Sequence, residues 1–325
     1  MSEFKIINNY INREKQDDSV ALGIGDDAAV MDVPIGQQIV QTMDTMVLNV
    51  HFDNNFSADA LAHKLLHVNL SDIAAMGAIP KWATVALTMP EVDEQWINDF
   101  ATGLQTRSDL LGVNLVGGDT TSGPLSVSMN LTGIVNKGQF LTRSGAHSDD
   151  DIYVSGFLGD AALALTEEGK NKPELIKRLR YPRARLGLGQ RLLGVATACI
   201  DISDGLLGDL THICEQSGLK AQLEVEKLPL STAYKFYFTE QSQNISPDYA
   251  LNGGDNYELC FTANPTQHQA ILKIADQLDY PITKIGTMHK LDPVDSTLES
   301  KELVKCTYHS KKYLCKLSSW QHFAS

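Results

Sequence analysis

Six short acidic clusters carry most of the chemistry legible in this 325-residue chain. They are Gly25-Asp26-Asp27, Met43-Asp44-Thr45, Leu70-Ser71-Asp72, Gly117-Gly118-Asp119-Thr120-Thr121, Asp201-Ile202-Ser203-Asp204-Gly205 and Gly253-Gly254-Asp255-Asn256. Most close an apolar run, where a strand would hand over to a loop. Carboxylates in that setting are hard oxygen donors suited to a divalent cation, and glycine neighbours let a phosphate approach the backbone. Together they point to metal–nucleotide chemistry in a chain that has no P-loop. Taken singly, each cluster also reads as a turn or a helix cap.

Other motifs narrow the field. Gly23-Ile24-Gly25-Asp26-Asp27-Ala28 imitates a dinucleotide fingerprint, but that fingerprint needs a helix after its glycines. Here a strand-like run and then Pro34 follow, so a dinucleotide fold is excluded. Leu61, Leu65, Val68 and Asp72 follow 4-3-4 spacing, which sets the carboxylate on the apolar stripe of a helix. Two readings stay open there: a buried acid that is paired or metal-bound, or a fray point where Asp72 meets water. His63 and His67 stand at i and i+4, but Lys64 occupies the glutamate position of a zinc protease motif, and surface or interface histidines are expected. The Asp201–Gly205 cluster precedes a helix start, where the helix N-terminus favours a phosphate while the aspartates demand a cation. Arg143 is suited either to a domain-bridging ion pair or to clamping phosphate oxygens. Trp320 could pack the tail or stack on a heteroaromatic cation.

The elements that must position these groups alternate between strand and helix. Strands are expected at 20–24, 28–33, 38–43 and 83–88, with a short one at 113–116 ending at Gly117-Gly118-Asp119. A helix capped by Ser57 runs to about Met76, and another covers 93–111 with Trp96, Phe100 and Leu104 on one face. Leu125–Val135 alternates apolar with Ser126, Ser128, Asn130 and Thr132, the mark of a half-exposed antiparallel strand. A composition shift over 137–150 suggests a junction between residues 1–137 and 138–325. Beyond it come a strand at 152–155, helices after Gly159, at 183–195 and after Gly205, a strand at 258–262 and a helix at 266–278. The fold class is α/β (α+β), two domains with mixed sheets.

Bulk composition agrees with a globular protein. The net charge of −13 argues against a nucleic-acid surface. Five scattered cysteines without a C-x-x-C pair suggest reduced thiols. With no basic-then-apolar opening and no membrane-length apolar run, a cytoplasmic location without membrane contact is expected.

Seven ordered stretches resemble the thiamine-monophosphate kinase family, within the group that includes aminoimidazole ribonucleotide synthetase. They are 22–28 (Leu-Gly-Ile-Gly-Asp-Asp-Ala), Asp44-Thr45 with His51-Phe52, 68–78 (Val-Asn-Leu-Ser-Asp-Ile-Ala-Ala-Met-Gly-Ala), Gly-Gly-Asp-Thr-Thr at 117–121, Leu-Thr-Arg-Ser-Gly at 141–145, Asp-Ile-Ser-Asp-Gly-Leu at 201–206 and the 253–261 segment. The resemblance implies transfer of the ATP γ-phosphoryl group to thiamine monophosphate, giving thiamine diphosphate. It implies an N-terminal ATP- and magnesium-binding domain whose sheet joins its partner's in a homodimer. It implies several Mg2+ ions on Asp27, Thr42, Asp44, Asp72, Asp119, Asp201 and Asp204. Gly118, Asp119, Arg143 and Ser203 would contact ATP, and His51, Asp255 and Trp320 would line the thiamine pocket. Asp72, Asp119 and Arg143 would carry catalysis. The acceptor is a phosphate oxygen that is already anionic, so positioning and charge neutralisation suffice. The chain departs from the family's Gly-Gly-Glu-Asp-Tyr-Glu-Leu at Asp255 and Asn256, and Met43 stands where a threonine is common. Two alternatives follow: an ATP-dependent ribonucleotide cyclase of the same group, or a nucleotide-binding protein that has lost catalysis.

Overall fold

The computed structural model describes residues 17–291 and 303–317. Two units emerge, one of residues 1–73 with 78–139 and one of residues 74–77 with 140–325. The first unit runs β1 (Val20–Leu22), β2 (Val30–Met31), β3 (Gln37–Val47), α1 (Ala58–Ala75), β4 (Ile79–Met89), α2 (Glu94–Leu111), β5 (Asn114–Ser122) and β6 (Ser126–Asn136).

Its main sheet has the order β3-β6-β4-β5, with β6 antiparallel to both neighbours and β4 parallel to β5 through α2. The alternation of β6 is as expected: Val127, Met129 and Leu131 are fully buried, while Ser126, Ser128 and Asn130 are half-buried on the other face. Helix α1 begins where Ser57 Oγ accepts from the Ala60 N–H at 3.2 Å. It is buried on most of its circumference, with Leu61, Leu65, Leu66, Leu70 and Ile73 at 1% exposure or less. Each such side chain stabilises the fold by about 1.5–3 kcal/mol. Asp93 caps α2 by accepting from the Trp96 N–H at 3.0 Å. Ile97, Phe100 and Leu104 form its buried face, and Trp96 stacks on Phe100 from its edge. The β1–β2 segment is pinned to this unit by Trp82, whose indole N–H donates to Ser19 Oγ at 2.9 Å.

Two expectations need correction. Strand β5 does not stop at Gly117 but runs through Gly-Gly-Asp-Thr-Thr to Ser122. At Gly118 a Cβ would lie 2.0 Å from the Val85 carbonyl oxygen, so glycine marks a close approach of two parallel strands, not a strand end. Strand β3 likewise continues past Met43 to Val47, which puts Asp44 inside a strand.

The second unit runs β7 (Asp151–Ser155), α3 (Asp160–Ala164), α4 (Pro173–Arg180), α5 (Leu186–Leu192), β8 (Ala198–Asp201), α6 (Leu206–Ser217), β9 (Leu219–Glu224), α7 (Thr232–Glu240), α8 (Asp248–Asn252), β10 (Leu259–Ala263), α9 (His268–Leu278), β11 (Ile282–Lys290), β12 (Val304–Tyr308) and β13 (Lys311–Tyr313). Its sheet has the order β13-β12-β9-β11-β7-β10-β8, antiparallel except for β12 beside β9. Leu259, Phe261 and Ala263 of β10 pack with Leu188 and Leu192 of α5 and Ile271 and Ile274 of α9. The intervening Cys260 faces Cys214 and Asp209 of α6, so the two faces of the sheet are covered by different helices. α5 is shorter than the 183–195 expected: Arg185 at its start and Leu193 at its end both leave helical geometry, and the Arg185 guanidinium donates to Glu258.

Candidate functional site

In the first unit, alternation along β3 turns Thr42 and Asp44 toward α1 and Met43 away from it. Two α1 residues three apart meet them. Asp72 Oδ2 accepts from Thr42 Oγ1 at 2.5 Å, and Asn69 Oδ1 accepts from the Asp44 N–H at 3.2 Å. Asn69 is itself fully buried and donates to the Leu65 carbonyl at 2.9 Å, which fixes its orientation. Burial, and then the Asp72 charge, push the Asp44 carboxyl up to about 7. Asp72 is therefore a packed, partnered acid within the helix, not a frayed end.

This cluster offers three hard oxygen donors and an excess of negative charge, and a divalent cation answers both. The residues present fit Mg2+. Met43 is 61% exposed on the opposite face, so the absence of a threonine hydroxyl there leaves the Thr42–Asp44–Asp72 group unchanged.

The remaining first-unit residues lie apart from that cluster. Register puts Asp119 level with Ala86, Ser128 and Thr45, on the face of the sheet turned away from α1. Thr45 and Ser128 hydroxyls meet there at 2.7 Å. Asp27 is exposed in the β1–β2 loop. His51 sits in the turn after β3, where its Nδ1 accepts from the Val47 N–H at 3.0 Å, so in the neutral ring Nε2 carries the proton. Among the described residues, no three acidic, histidine or cysteine side chains converge on one point within either unit.

The second unit interlaces the last two clusters. The Asp255 N–H donates to the Ser203 carbonyl and the Tyr257 N–H to the Ile202 carbonyl, both at 2.8 Å, and the Ile202 N–H returns to the Glu258 carbonyl at 2.8 Å. Asp201 pairs across the sheet with Leu259. Asp201, Ser203, Asp204 and Asp255 thus share one corner, which sequence separation concealed. Asp255 and Tyr257 are both left-handed, at φ 61° and 51°, and the Tyr257 hydroxyl donates to Asp255 Oδ1 at 3.0 Å.

Asn256 is buried. Its Oδ1 accepts from the Gly159 N–H at 2.7 Å, and its Nδ2 donates to the Gly253 carbonyl at 2.6 Å. The amide at this departure from the family pattern therefore satisfies one donor and one acceptor inside the unit.

Glu258 at the base of this corner is 1% exposed and binds Arg185, Arg178 and the Ser155 hydroxyl. Arg143 is exposed on a segment pinned beside edge strand β8, where the Cys199 N–H donates to the Thr142 carbonyl at 2.8 Å. Cys199 lies two residues before Asp201, so Arg143 and the Asp201–Gly205 loop flank the same sheet edge. Trp320 lies outside the described residues.

Sequence reasoning missed Asp209. It is 4% exposed, and its Oδ2 accepts the N–H groups of Ser203, Asp204 and Gly205 at 3.0, 3.2 and 3.2 Å. Burial and the charge of Asp204 push its carboxyl up to about 7, against the pull of those three amides. The only sequence signal was an acid in the first turn of α6, which is common to helices generally. The three amides at this helix start are thus already taken by a carboxyl oxygen of the protein's own.

One group of oxygen donors on β3 and α1 and another beside β8 in the second unit are of the chemical kind that suits a divalent cation, within a two-unit α/β fold. The sequence matches the family described as AIR synthase related protein over its N-terminal domain at residues 25–135 and its C-terminal domain at residues 148–297. The chain belongs to the thiamine-monophosphate kinase family within that group. It is 43% identical over 298 residues to the thiamine-monophosphate kinase of Haemophilus influenzae, covering 89% of this chain and 90% of that one. The crystal structure of the thiamine-monophosphate kinase from Stenotrophomonas maltophilia is 39% identical, covers 95% of this chain and 96% of that one, and superposes with a TM-score of 0.80. AaThiL in complex with AMPPCP and TMP is 29% identical, covers 92% of each chain, and has a TM-score of 0.73.

Proposed function

We infer that this protein transfers the γ-phosphoryl group of ATP to thiamine monophosphate, producing thiamine diphosphate and ADP. The observation that carries the reading is the Thr42–Asp44–Asp72 cluster, held by α1 in a chain 43% identical to a thiamine-monophosphate kinase. Mg2+, held by Asp44, Asp72 and Thr42 in one unit and by Asp201 and Asp204 in the other, would neutralise charge on the two polyanions. Asp27 and Asp119 would complete the set of ligands for several ions. The terminal phosphate of thiamine monophosphate is ionised near neutral pH, so no side chain has to remove a proton from the nucleophile. Arg143 supplies a fixed cation beside the Asp201–Gly205 loop, suited to charge on the transferred group, with Asp119 and the Gly118 backbone as further ATP contacts. The Ser203 hydroxyl is a donor for the nucleotide. Asp255, His51 through Nε2–H, and Trp320 would hold the thiamine portion.

A homodimer is part of the proposal. β3 is an edge strand of the first unit's sheet, and its face carries Ile39 at 56% and Met43 at 61% exposure, with Ile35 fully exposed just before it. A second copy of the same strand would cover that surface. The cysteines Cys199, Cys214, Cys260, Cys306 and Cys315 are free thiols, which suits a reducing cytoplasm. No helix among the described residues is long and apolar enough to cross a membrane.

The test is direct. Purified protein is incubated with ATP, Mg2+ and thiamine monophosphate, and products are separated by chromatography. Thiamine diphosphate forming in step with ADP is expected. ADP release without it, or with an aminoimidazole precursor as acceptor, would overturn the assignment.

A further inference from the structure

We propose that Asp209 is the positioning residue that decides which groups the Asp201–Gly205 loop shows to the nucleotide. This rests on the kinase reading above. Three consecutive amides at the start of a helix make a concave anion site, reinforced by the helix dipole. Left open, the Ser203, Asp204 and Gly205 amides would take a phosphate directly. Instead, one buried oxygen of Asp209, four residues into α6, receives all three.

The loop is therefore drawn over its own helix start. Gly205, at φ 126°, sits where a Cβ would lie 2.8 Å from the Asn252 backbone, and Gly254 is packed as tightly against the Ser203 carbonyl, 2.6 Å from its would-be Cβ. With amides turned inward and the carbonyls of Ile202 and Ser203 committed to the Tyr257 and Asp255 N–H groups, the groups left to face outward are side chains. Asp204 is exposed and Ser203 half-exposed. Asp209 thus converts a helix N-terminus from an anion site into a cation-bearing one, so that a triphosphate engages it through Mg2+ and the Ser203 hydroxyl.

Outer residues that orient metal ligands typically cost 10–100-fold in metal affinity when removed. The experiment compares wild type with Asp209→Asn, which keeps a neutral acceptor, and Asp209→Ala, which removes it. Asp160→Asn is the control. Asp160 is an equally buried carboxylate of the same unit whose Oδ1 accepts from the Ser231 hydroxyl at 2.7 Å and whose Oδ2 lies 3.8 Å from Arg178 Nε.

Calorimetric titration of ADP at stepped Mg2+ concentrations gives the Mg2+ needed for half-maximal binding, and steady-state kinetics give KM for thiamine monophosphate. Asp209→Asn should raise the Mg2+ requirement about tenfold, with Asp209→Ala at least as far, while KM for thiamine monophosphate stays within about twofold. The control should lose thermal stability but keep the wild-type Mg2+ requirement. Should the alanine variant not fold, the asparagine variant alone decides. A wild-type Mg2+ requirement in folded Asp209→Asn, or an equal rise in the control, would overturn the proposal. Because ADP binding is read without turnover, a wild-type protein that makes no thiamine diphosphate would sink the kinase reading and leave this result standing.

Discussion

Asp44→Asn should make the metal-free protein more stable while disabling it. The Asp44 carboxyl is raised from 3.8 to about 7, first by burial and then by the charge of Asp72. A shift of about 3 pH units at 1.36 kcal/mol each gives an upper figure of about 4 kcal/mol for holding this group ionised in the folded, metal-free state. Asp44 is half-buried and partly reached by solvent, so about 2–4 kcal/mol is the working range.

The sign follows from linkage. Below about pH 4 the group is neutral in both folded and unfolded chains and carries no penalty. Between about 4 and 7 the unfolded chain ionises and the folded one resists, so stability falls as pH rises. Above about 7 the penalty is complete. Asparagine lacks this slope. Thermal or urea unfolding in excess EDTA, followed from pH 4.5 to 8, should show the two proteins closest at low pH. The variant should pull ahead toward pH 8 by several degrees in Tm. Adding Mg2+ at pH 8 should stabilise the wild type more than the variant. A stability difference that stays constant across the pH range, or a wild type more stable than the variant at pH 8 in EDTA, would refute the account of Asp44 and Asp72 as a charge-crowded pair.

Other perturbations separate chemistry from packing. Asp72→Asn should lower turnover at least 100-fold in kinetic assays while circular dichroism and Tm stay near wild type; undiminished turnover would remove Asp72 from the metal site. Gly118→Ala must displace the Val85 carbonyl, 2.0 Å from the new Cβ, and should cost about 1–3 kcal/mol by chemical denaturation. The ATP KM of the fraction that stays folded reports separately on any nucleotide contact. Asn256→Ala strands the buried Gly159 N–H and Gly253 carbonyl and should destabilise the second unit by about 1–3 kcal/mol in urea unfolding.

Much of the fold was legible because its elements obey short periods. The alternation of 125–135 placed β6 and both of its faces, and Ser57 with the Leu61–Leu65–Val68 spacing placed α1 within a residue or two. Glycine was the misleading signal. Gly117-Gly118 read as a strand end, yet strand β5 passes through it, because what demands glycine is the Val85 carbonyl of a neighbouring strand more than thirty residues away. The start of α6 read as a phosphate cradle, yet Asp209 fills it, a choice that depends on how the loop folds back and not on the helix signal itself.

By itself the sequence determined the inventory: the acidic clusters with hard oxygen donors, the order of motifs that marks the family, and the periods that make strands and helices. Only the tertiary structure decided which acids meet. It joined Thr42 and Asp44 to Asp72 across a strand and a helix, sent Asp119 and Met43 to the other face, and tied Ser203 to Asp255 through their backbones. The physical reason is range. Periodicity is set by backbone geometry within a few residues, whereas convergence depends on strand order, register and pleat between segments tens of residues apart.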